Sequence, residues 1–289
     1  HYIASSKGLS GTSLARKYGI ANSTTNYKDI LKDNDVDSVI ITTRHNDHAS
    51  QVIEALESGK HVFVEKPLAL TLEELENISR CKNKTKKTVT VGFNRRFSPF
   101  SVHAKDKLGN SNSQISVIAT MNAGFIPNDH WVQDIKIGGG RIIGEACHYI
   151  DLISYFTGSQ VVSLVANSQD NHDQQSSDIV SILLRYENGS QGILNYLANG
   201  SKAFPKERVT IYGKGENIVI DNFKSVQFYG RSVKTKKSSQ DKGHENQFKK
   251  WNEMITKGGR EIINYDSIYN TSKAAILVLK SLNQNKWID

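Results

Sequence analysis

A lysine placed where a buried strand runs out is the first residue with an obvious chemical use. Glu65-Lys66-Pro67 follows the apolar run His61-Val62-Phe63-Val64. Proline cannot donate to a sheet ladder and forces its predecessor into extended backbone, so the strand stops there. Lys66 is therefore expected at the carboxyl edge of a sheet, where open parallel sheets carry out chemistry. Partial desolvation beside another cation would draw its pKa toward neutrality and let it exchange protons; an ordinary strand-end ion pair would also account for the tripeptide. A second stretch, Gly92-Phe93-Asn94-Arg95-Arg96-Phe97-Ser98-Pro99, brings polar donors to the same edge or serves as a hinge. The third runs from Gly138-Gly139-Gly140-Arg141 through Gly144-Glu145 to His148. Its glycines form a flexible lead into a helix whose N-terminus can face an anion. His148 lies one turn beyond Gly144, on the same face, although a lone helical histidine is commonly a satisfied core residue. The run is not a dinucleotide fingerprint, because Ile143 stands where Gly-x-Gly-x-x-Gly needs its last glycine.

These residues need elements to hold them. Ser38-Val39-Ile40-Ile41-Thr42 is a β-branched run suited to a buried parallel strand. Ala49, Val52, Ile53 and Leu56 form a helical stripe ending at Gly59. After the strand at 61–64, Thr71 and Glu74 form a capping box for a helix with Leu72, Leu75 and Ile78 inside. Thr88-Val89-Thr90-Val91 is the next strand. Strand, helix, strand, helix, strand with short links predicts a parallel sheet with right-handed crossovers. Past Pro99 the texture changes. Residues 115–121 read as a strand, 141–156 as an amphipathic helix, and 161–236 as a series of alternating strands. Glu187-Asn188-Gly189 and Gly213-Lys214-Gly215 are turn signals between those strands. Two helices follow, near 245–255 and 267–282. The predicted class is α/β: a partial Rossmann-type parallel sheet in residues 1–97, then an α+β domain with a large, mainly antiparallel open sheet in residues 98–289. The C-terminal helix is expected to pack back on the first domain.

The chain has 289 residues, of which 37% are hydrophobic and 23% charged, enough for two packed domains of a soluble protein. No stretch approaches the ~18 apolar residues of a membrane span, and the first residues lack the features of a signal peptide. Two cysteines, Cys81 and Cys147, are too few for a disulfide framework or a metal cage. They suggest a cytoplasmic setting with no metal site. The net charge is +8, but the lysines are dispersed. The densest run, Lys82 to Lys87, falls at a helix C-terminus where cations are favoured, so no nucleic-acid surface is expected.

In combination the motifs resemble the Gfo/Idh/MocA oxidoreductases. Thr43-Arg44-His45-Asn46-Asp47-His48 is similar to that family's Thr-Pro-Asn-x-x-His loop, with Arg44 at the usual proline. Gly59-Lys60-His61-Val62-Phe63-Val64-Glu65-Lys66-Pro67 matches its Gly-Lys-His-Val-x-x-Glu-Lys-Pro signature. The stretch from Gly92 to Lys206, including Asp129-His130-Trp131 and Ala198-Asn199-Gly200, resembles Gfo/Idh-type halves fused behind an alcohol-dehydrogenase-like half in polysaccharide gene clusters. The resemblance implies hydride transfer between nicotinamide and a sugar, polyol or nucleotide-sugar carbon, in a homo-oligomer. It implies Lys66 as the group that binds and polarises the substrate oxygen and His148 as proton relay. Ser5, Ser6, Thr43, His45, His48, Glu65, Lys66 and Asn94 are the expected cofactor contacts. Arg95, Trp131, Arg141, Glu145 and His148 are the expected substrate contacts.

Two departures from the pattern shape the expectation. The family opens with a strand, a glycine loop and a helix, whereas Tyr2-Ile3-Ala4-Ser5-Ser6 matches its second strand. The chain thus reads as N-terminally truncated, with cofactor binding dependent on that unit. Where the family places an acid after this strand to select NAD, Ser5-Ser6-Lys7 offers hydroxyls and a cation, which favours NADP. The family also carries Asp four residues before the helical histidine; here that place is Gly144, and Glu145 points about 100° away. An alternative reading therefore stays open: a non-catalytic dinucleotide- or sugar-binding module, or a fragment inactive on its own.

Overall fold

The computed structural model describes residues 1–109, 113–169 and 178–289; part of the alternating run at 161–236 thus lies outside the described residues. The N-terminal third consists of parallel strands joined by helices. Strand β1 (Tyr2–Ala4) leads through α1 (Gly8–Tyr18) to β2 (Asn22–Thr24), which pairs with it in parallel. After α2 (Lys28–Lys32) come β3 (Ser38–Ile41), α3 (His45–Glu57), β4 (His61–Val64), α4 (Leu72–Lys84) and β5 (Val89–Val91). These strands form a second parallel sheet in the order β3-β4-β5. Val64 lies level with Ile41 on one side and Val91 on the other, so all three strands end together. The capping box forms as the sequence predicts: the Glu74 N–H donates to Thr71 Oγ1 and the Glu74 carboxylate accepts from the Thr71 N–H.

One expectation needs correcting. β3 was expected to be buried, yet Ile40 is 52% exposed. Among the described residues β3 has β4 on one side and no hydrogen-bonded strand on the other, so it is an edge strand and its side chains lack neighbours on that side. Val62, Phe63 and Val64 of the central strand β4 are fully buried.

A 3₁₀ turn, Asn94–Phe97, leaves β5. Ser98 then caps α5 (Pro99–Leu108), accepting from the Phe100 N–H. The second domain is built on an eight-stranded sheet. Its strands are β6 (Ser116–Asn122), β7 (Val161–Ser168), β8 (Ile179–Tyr186), β9 (Gln191–Leu197), β10 (Glu207–Gly213), β11 (Glu216–Asp221), β12 (Ser225–Tyr229) and β13 (Val233–Lys237), in the order β13-β12-β11-β10-β6-β9-β8-β7. All neighbours are antiparallel except β6 and β9, which run parallel. β6 alternates strictly between buried and half-exposed residues, as a sheet with one covered face requires. The turn at Lys214-Gly215 has both residues at positive φ, the backbone that a tight two-residue hairpin demands.

The sheet is covered by α5, by α6 (Cys147–Thr157) and by α8 (Tyr265–Gln284); α7 (His244–Lys257) packs against the 3₁₀ turn. The segment read as one amphipathic helix at 141–156 is instead a π turn (Ile142–Ala146) running into α6. That helix is buried nearly all round, because sheet, α8 and the first domain enclose it. α8 also reaches α4 and β5, so both domains share one apolar core.

Candidate active site

The parallel strands bring the sequence-selected residues to one edge. The Glu65 N–H donates to Ile41 O (2.9 Å) and the Gly92 N–H to Val64 O (2.9 Å), carrying the ladder one step past the strands. The Glu65 carboxylate lies directly over Gly92, where a Cβ would come within 2.8 Å of it; glycine is the residue that permits this close approach. Lys66 follows, half-buried, joined to buried Pro67 by a cis peptide bond. Thr43 sits at the end of β3, its hydroxyl donating to Gln51 Oε1 (2.9 Å). Ser5 and Ser6 stand at the end of β1; the Ser5 hydroxyl pairs with Ser10 (2.8 Å) and Ser6 is exposed.

Two histidines of α3 fasten this edge. His48 is fully buried, with Nδ1 2.7 Å from Pro67 O and Nε2 3.1 Å from Thr43 O. A neutral ring carries one N–H, so one of these carbonyls accepts its proton while the other lies against the bare nitrogen, and the ring sits between the loop after β3 and the loop carrying Lys66. Burial lowers the His48 pKa, opposed by the two carbonyls. His45 reaches the second domain instead. Its Nδ1 lies 2.7 Å from Gly138 O, and since a carbonyl only accepts, Nδ1 carries the proton. The Trp131 and His45 rings meet in a T-shaped pair, 4.9 Å between centroids. Burial brings the His45 pKa down to about 4, helped by the charge of Lys66.

The loop that delivers Gly138 is packed. Gly138, Gly139 and Gly140 are buried, and a Cβ on Gly138 would collide with the Val132 backbone. The flexible, anion-facing lead expected from these glycines is thus a close-packed turn, with the Asn46 N–H bonded to Ile137 O (3.1 Å).

His148, 8% exposed, comes from α6 and stacks edge-on with Phe93 at 6.3 Å. Its Nδ1 is buried without a hydrogen-bond partner. Burial, reinforced by the charges of Arg95 and Lys66, holds its pKa well below the ordinary histidine value, so the ring is neutral. Among the described residues no carboxylate is bonded to it. Glu145 accepts from the Tyr196 hydroxyl (2.6 Å) and lies 3.6 Å from Arg141, while Asp151 is held by Arg96. The charge of Lys66 bears on His45, Glu145 and His148 alike. Lys66, just past β4, is thus within electrostatic reach of groups on α3, the π turn and α6.

Other expected contacts are engaged elsewhere. Asn94 donates to Lys242 O (2.8 Å). Arg95 makes a two-pronged bond to the buried Glu207 carboxylate (2.9 and 3.2 Å), which also takes Lys242 (2.6 Å). Arg141 binds Gly124 O (2.6 Å), Asp178 (3.2 Å) and Ala123 O (3.4 Å), leaving Nε unpartnered. Asn94 and Arg95 thus tie the end of β5 to the second domain, and Arg141 bonds within that domain. His244 was not anticipated. It is the first residue of α7, and its charge bears on His148 while it feels those of Arg95 and Glu65. The one local signal was Gly243, whose positive φ lets the chain pass against the backbone of Asn94 and Ser98.

Residues 2–93 match the model of an oxidoreductase family with an NAD-binding Rossmann fold, and residues 113–219 match the same family's C-terminal domain. The chain belongs to the Gfo/Idh/MocA oxidoreductase family. It is similar to the scyllo-inositol 2-dehydrogenase (NAD(+)) of Bacillus subtilis, with 31% identity over 62% of this chain and 54% of that protein. Against the myo-inositol 2-dehydrogenase of Thermotoga maritima it is 24% identical over 74% of this chain and 65% of that one. The chain thus spans less than two thirds of the length of these curated relatives. In structure it resembles a levoglucosan dehydrogenase in complex with NADH and levoglucosan, with a TM-score of 0.88 and 23% identity over 100% of this chain and 89% of that chain. At that identity the likeness concerns the fold.

Proposed function

We propose that the chain is the core of a nicotinamide-dependent dehydrogenase acting on a polyol or sugar hydroxyl. The observation that carries this reading is the place of Lys66 at the carboxyl edge of β3-β4-β5, within electrostatic reach of His45, Glu145 and His148. The nicotinamide half of a dinucleotide fits the donor set there: the Thr43 hydroxyl and Glu65 carboxylate suit ribose hydroxyls at the ends of adjacent strands. Ser6 and Lys7, exposed after β1, suit the adenosine end and favour NADP over NAD.

When bound, the nicotinamide supplies a hydride acceptor. The chain's own residues do the rest. The Lys66 ammonium binds the carbinol oxygen and stabilises negative charge as the O–H bond weakens. The hydroxyl proton must leave, and the neutral imidazole of His148 takes or relays it. His48, bonded to Pro67 O, keeps the Lys66 loop in place. The outer face of the eight-stranded sheet, exposing Leu183, Tyr212 and Tyr229, is where a homo-oligomer contact would form.

Titration of NADH and NADPH by nicotinamide fluorescence, into this chain and a form extended upstream by a strand–glycine-loop–helix unit, tests the cofactor half of the reading. Tighter NADPH than NADH binding by at least one form is expected; absence of binding by both would leave a binding module without cofactor.

A further inference from the structure

Gly144 and His45 meet across the domain junction. A Cβ on Gly144 would stand 3.0 Å from His45 Cε1 and 3.4 Å from Nδ1. That is tighter than carbon atoms pack without movement, so the absence of a side chain at 144 makes the seat for this imidazole. The ring is fixed on further sides: Nδ1–H donates to Gly138 O at 2.7 Å, the Trp131 ring lies against it, and it is 8% exposed. Gly138 lies close along the Val132 backbone, where a Cβ would come within 2.4 Å of Val132 O. The tautomer follows from this geometry. With the proton on Nδ1, Nε2 presents a bare lone pair, and it has no protein partner among the described residues.

The charged and titratable groups that bear on this ring are Lys66, His48 and Glu145. Both nitrogens of His48 already lie against carbonyls, and Glu145 is held by Tyr196 and Arg141. What remains open is a cation, Lys66, whose charge reaches this ring, and a fixed neutral acceptor, His45 Nε2. An ammonium donates to an oxygen; a bare imidazole nitrogen accepts from an O–H. A ligand that satisfies both presents one oxygen to Lys66 and a second hydroxyl, on a neighbouring carbon, to His45.

We infer that His45 is a substrate-binding residue that reads a second hydroxyl next to the one undergoing oxidation, so that the site selects vicinal diols over isolated alcohols. This rests on the dehydrogenase reading above. It also gives Gly144 a role: the helix yields a side chain there so that α3 can place an imidazole in the site.

The test compares the wild-type protein with His45→Asn and His45→Gln, each with a cyclic vicinal diol and with the analogue lacking the second hydroxyl. Asparagine can keep the bond to Gly138 O but has no acceptor where Nε2 stood; glutamine reaches that place. His45→Asn is expected to raise KM for the diol about tenfold, the worth of one hydrogen bond, and to leave the KM of the deoxy analogue unchanged. His45→Gln should recover part of the loss; a fall in NADPH affinity with either variant would instead make His45 the cofactor contact its sequence position suggests, and would overturn the assignment. Equal KM values for wild type and His45→Asn, or equal losses on both substrates, would overturn the assignment while leaving the dehydrogenase reading intact. If the wild type turns over neither substrate while binding NADPH, the dehydrogenase reading itself falls, and this assignment with it. Should His45→Asn fail to fold, Gly144→Ala presses on the same ring and should produce a smaller, diol-specific rise in KM; an unchanged KM there would overturn the proposal.

Discussion

Replacing Glu207 with Gln keeps the shape of the side chain and removes its charge. In the native protein that carboxylate is 1% exposed and takes two bonds from Arg95 and one, at 2.6 Å, from Lys242. The two cations pull its pKa down to about 2 against an ordinary value of 4.5, although burial alone would raise it. A carboxyl group with a depressed folded-state pKa stabilises the protein fully above its unfolded value and loses that contribution as pH falls through the folded one. The depression corresponds to about 3 kcal/mol at neutral pH, at the low end of the ~3–5 kcal/mol cost of breaking a buried ion pair. For 289 residues this is a fall in melting temperature of about 5 °C. Urea unfolding of both proteins from pH 7 down to pH 3 would measure it. The gap should be full at pH 7 and shrink below roughly pH 4.5, as the wild-type carboxylate itself takes up a proton. A gap under about 1 kcal/mol at pH 7, or one that does not change with pH, would refute the claim that this cluster holds the two domains together electrostatically.

Three further outcomes are expected. Lys66→Ala should lower kcat by about 10²- to 10⁴-fold while cofactor affinity, measured by nicotinamide fluorescence, changes little. His48→Ala removes a fully buried ring and strands the carbonyl that accepts its N–H, so a loss of about 2–4 kcal/mol in urea unfolding is expected. The acid limb of kcat/KM should fall below the ordinary histidine range, because His148 and His45 both have lowered pKa values; a limb near 6.5 would assign the proton transfer to a different group.

The local rules were readable from sequence. Pro67 ends β4 and leaves Lys66 at the sheet edge, the Thr71–Glu74 box starts α4, and Lys214-Gly215 closes a hairpin. What could not be read depends on long-range packing. Ile40 looks buried by composition, but its exposure is decided by whether a strand pairs beyond β3. Arg95 and Asn94 look like site residues by position; a carboxylate 112 positions away and the Lys242 carbonyl take them up. Gly144 looked like the loss of a functional group. The reason for it is His45, whose carbonyl partner lies 93 positions along the chain. No local periodicity encodes such a meeting, since it forms only when the loop at Gly138 docks on the N-terminus of α3.

The central claim is that Lys66 and its neighbours support hydride removal from a carbinol carbon. The most direct test incubates the protein and oxidised nicotinamide cofactor with cyclic polyols deuterated at the carbinol positions, and reads the isotope on the recovered cofactor by mass spectrometry. The account predicts deuterium on the nicotinamide with wild-type protein and its loss with Lys66→Ala. Bound cofactor that stays unlabelled across the polyols, or labelling that survives Lys66→Ala undiminished, would contradict it.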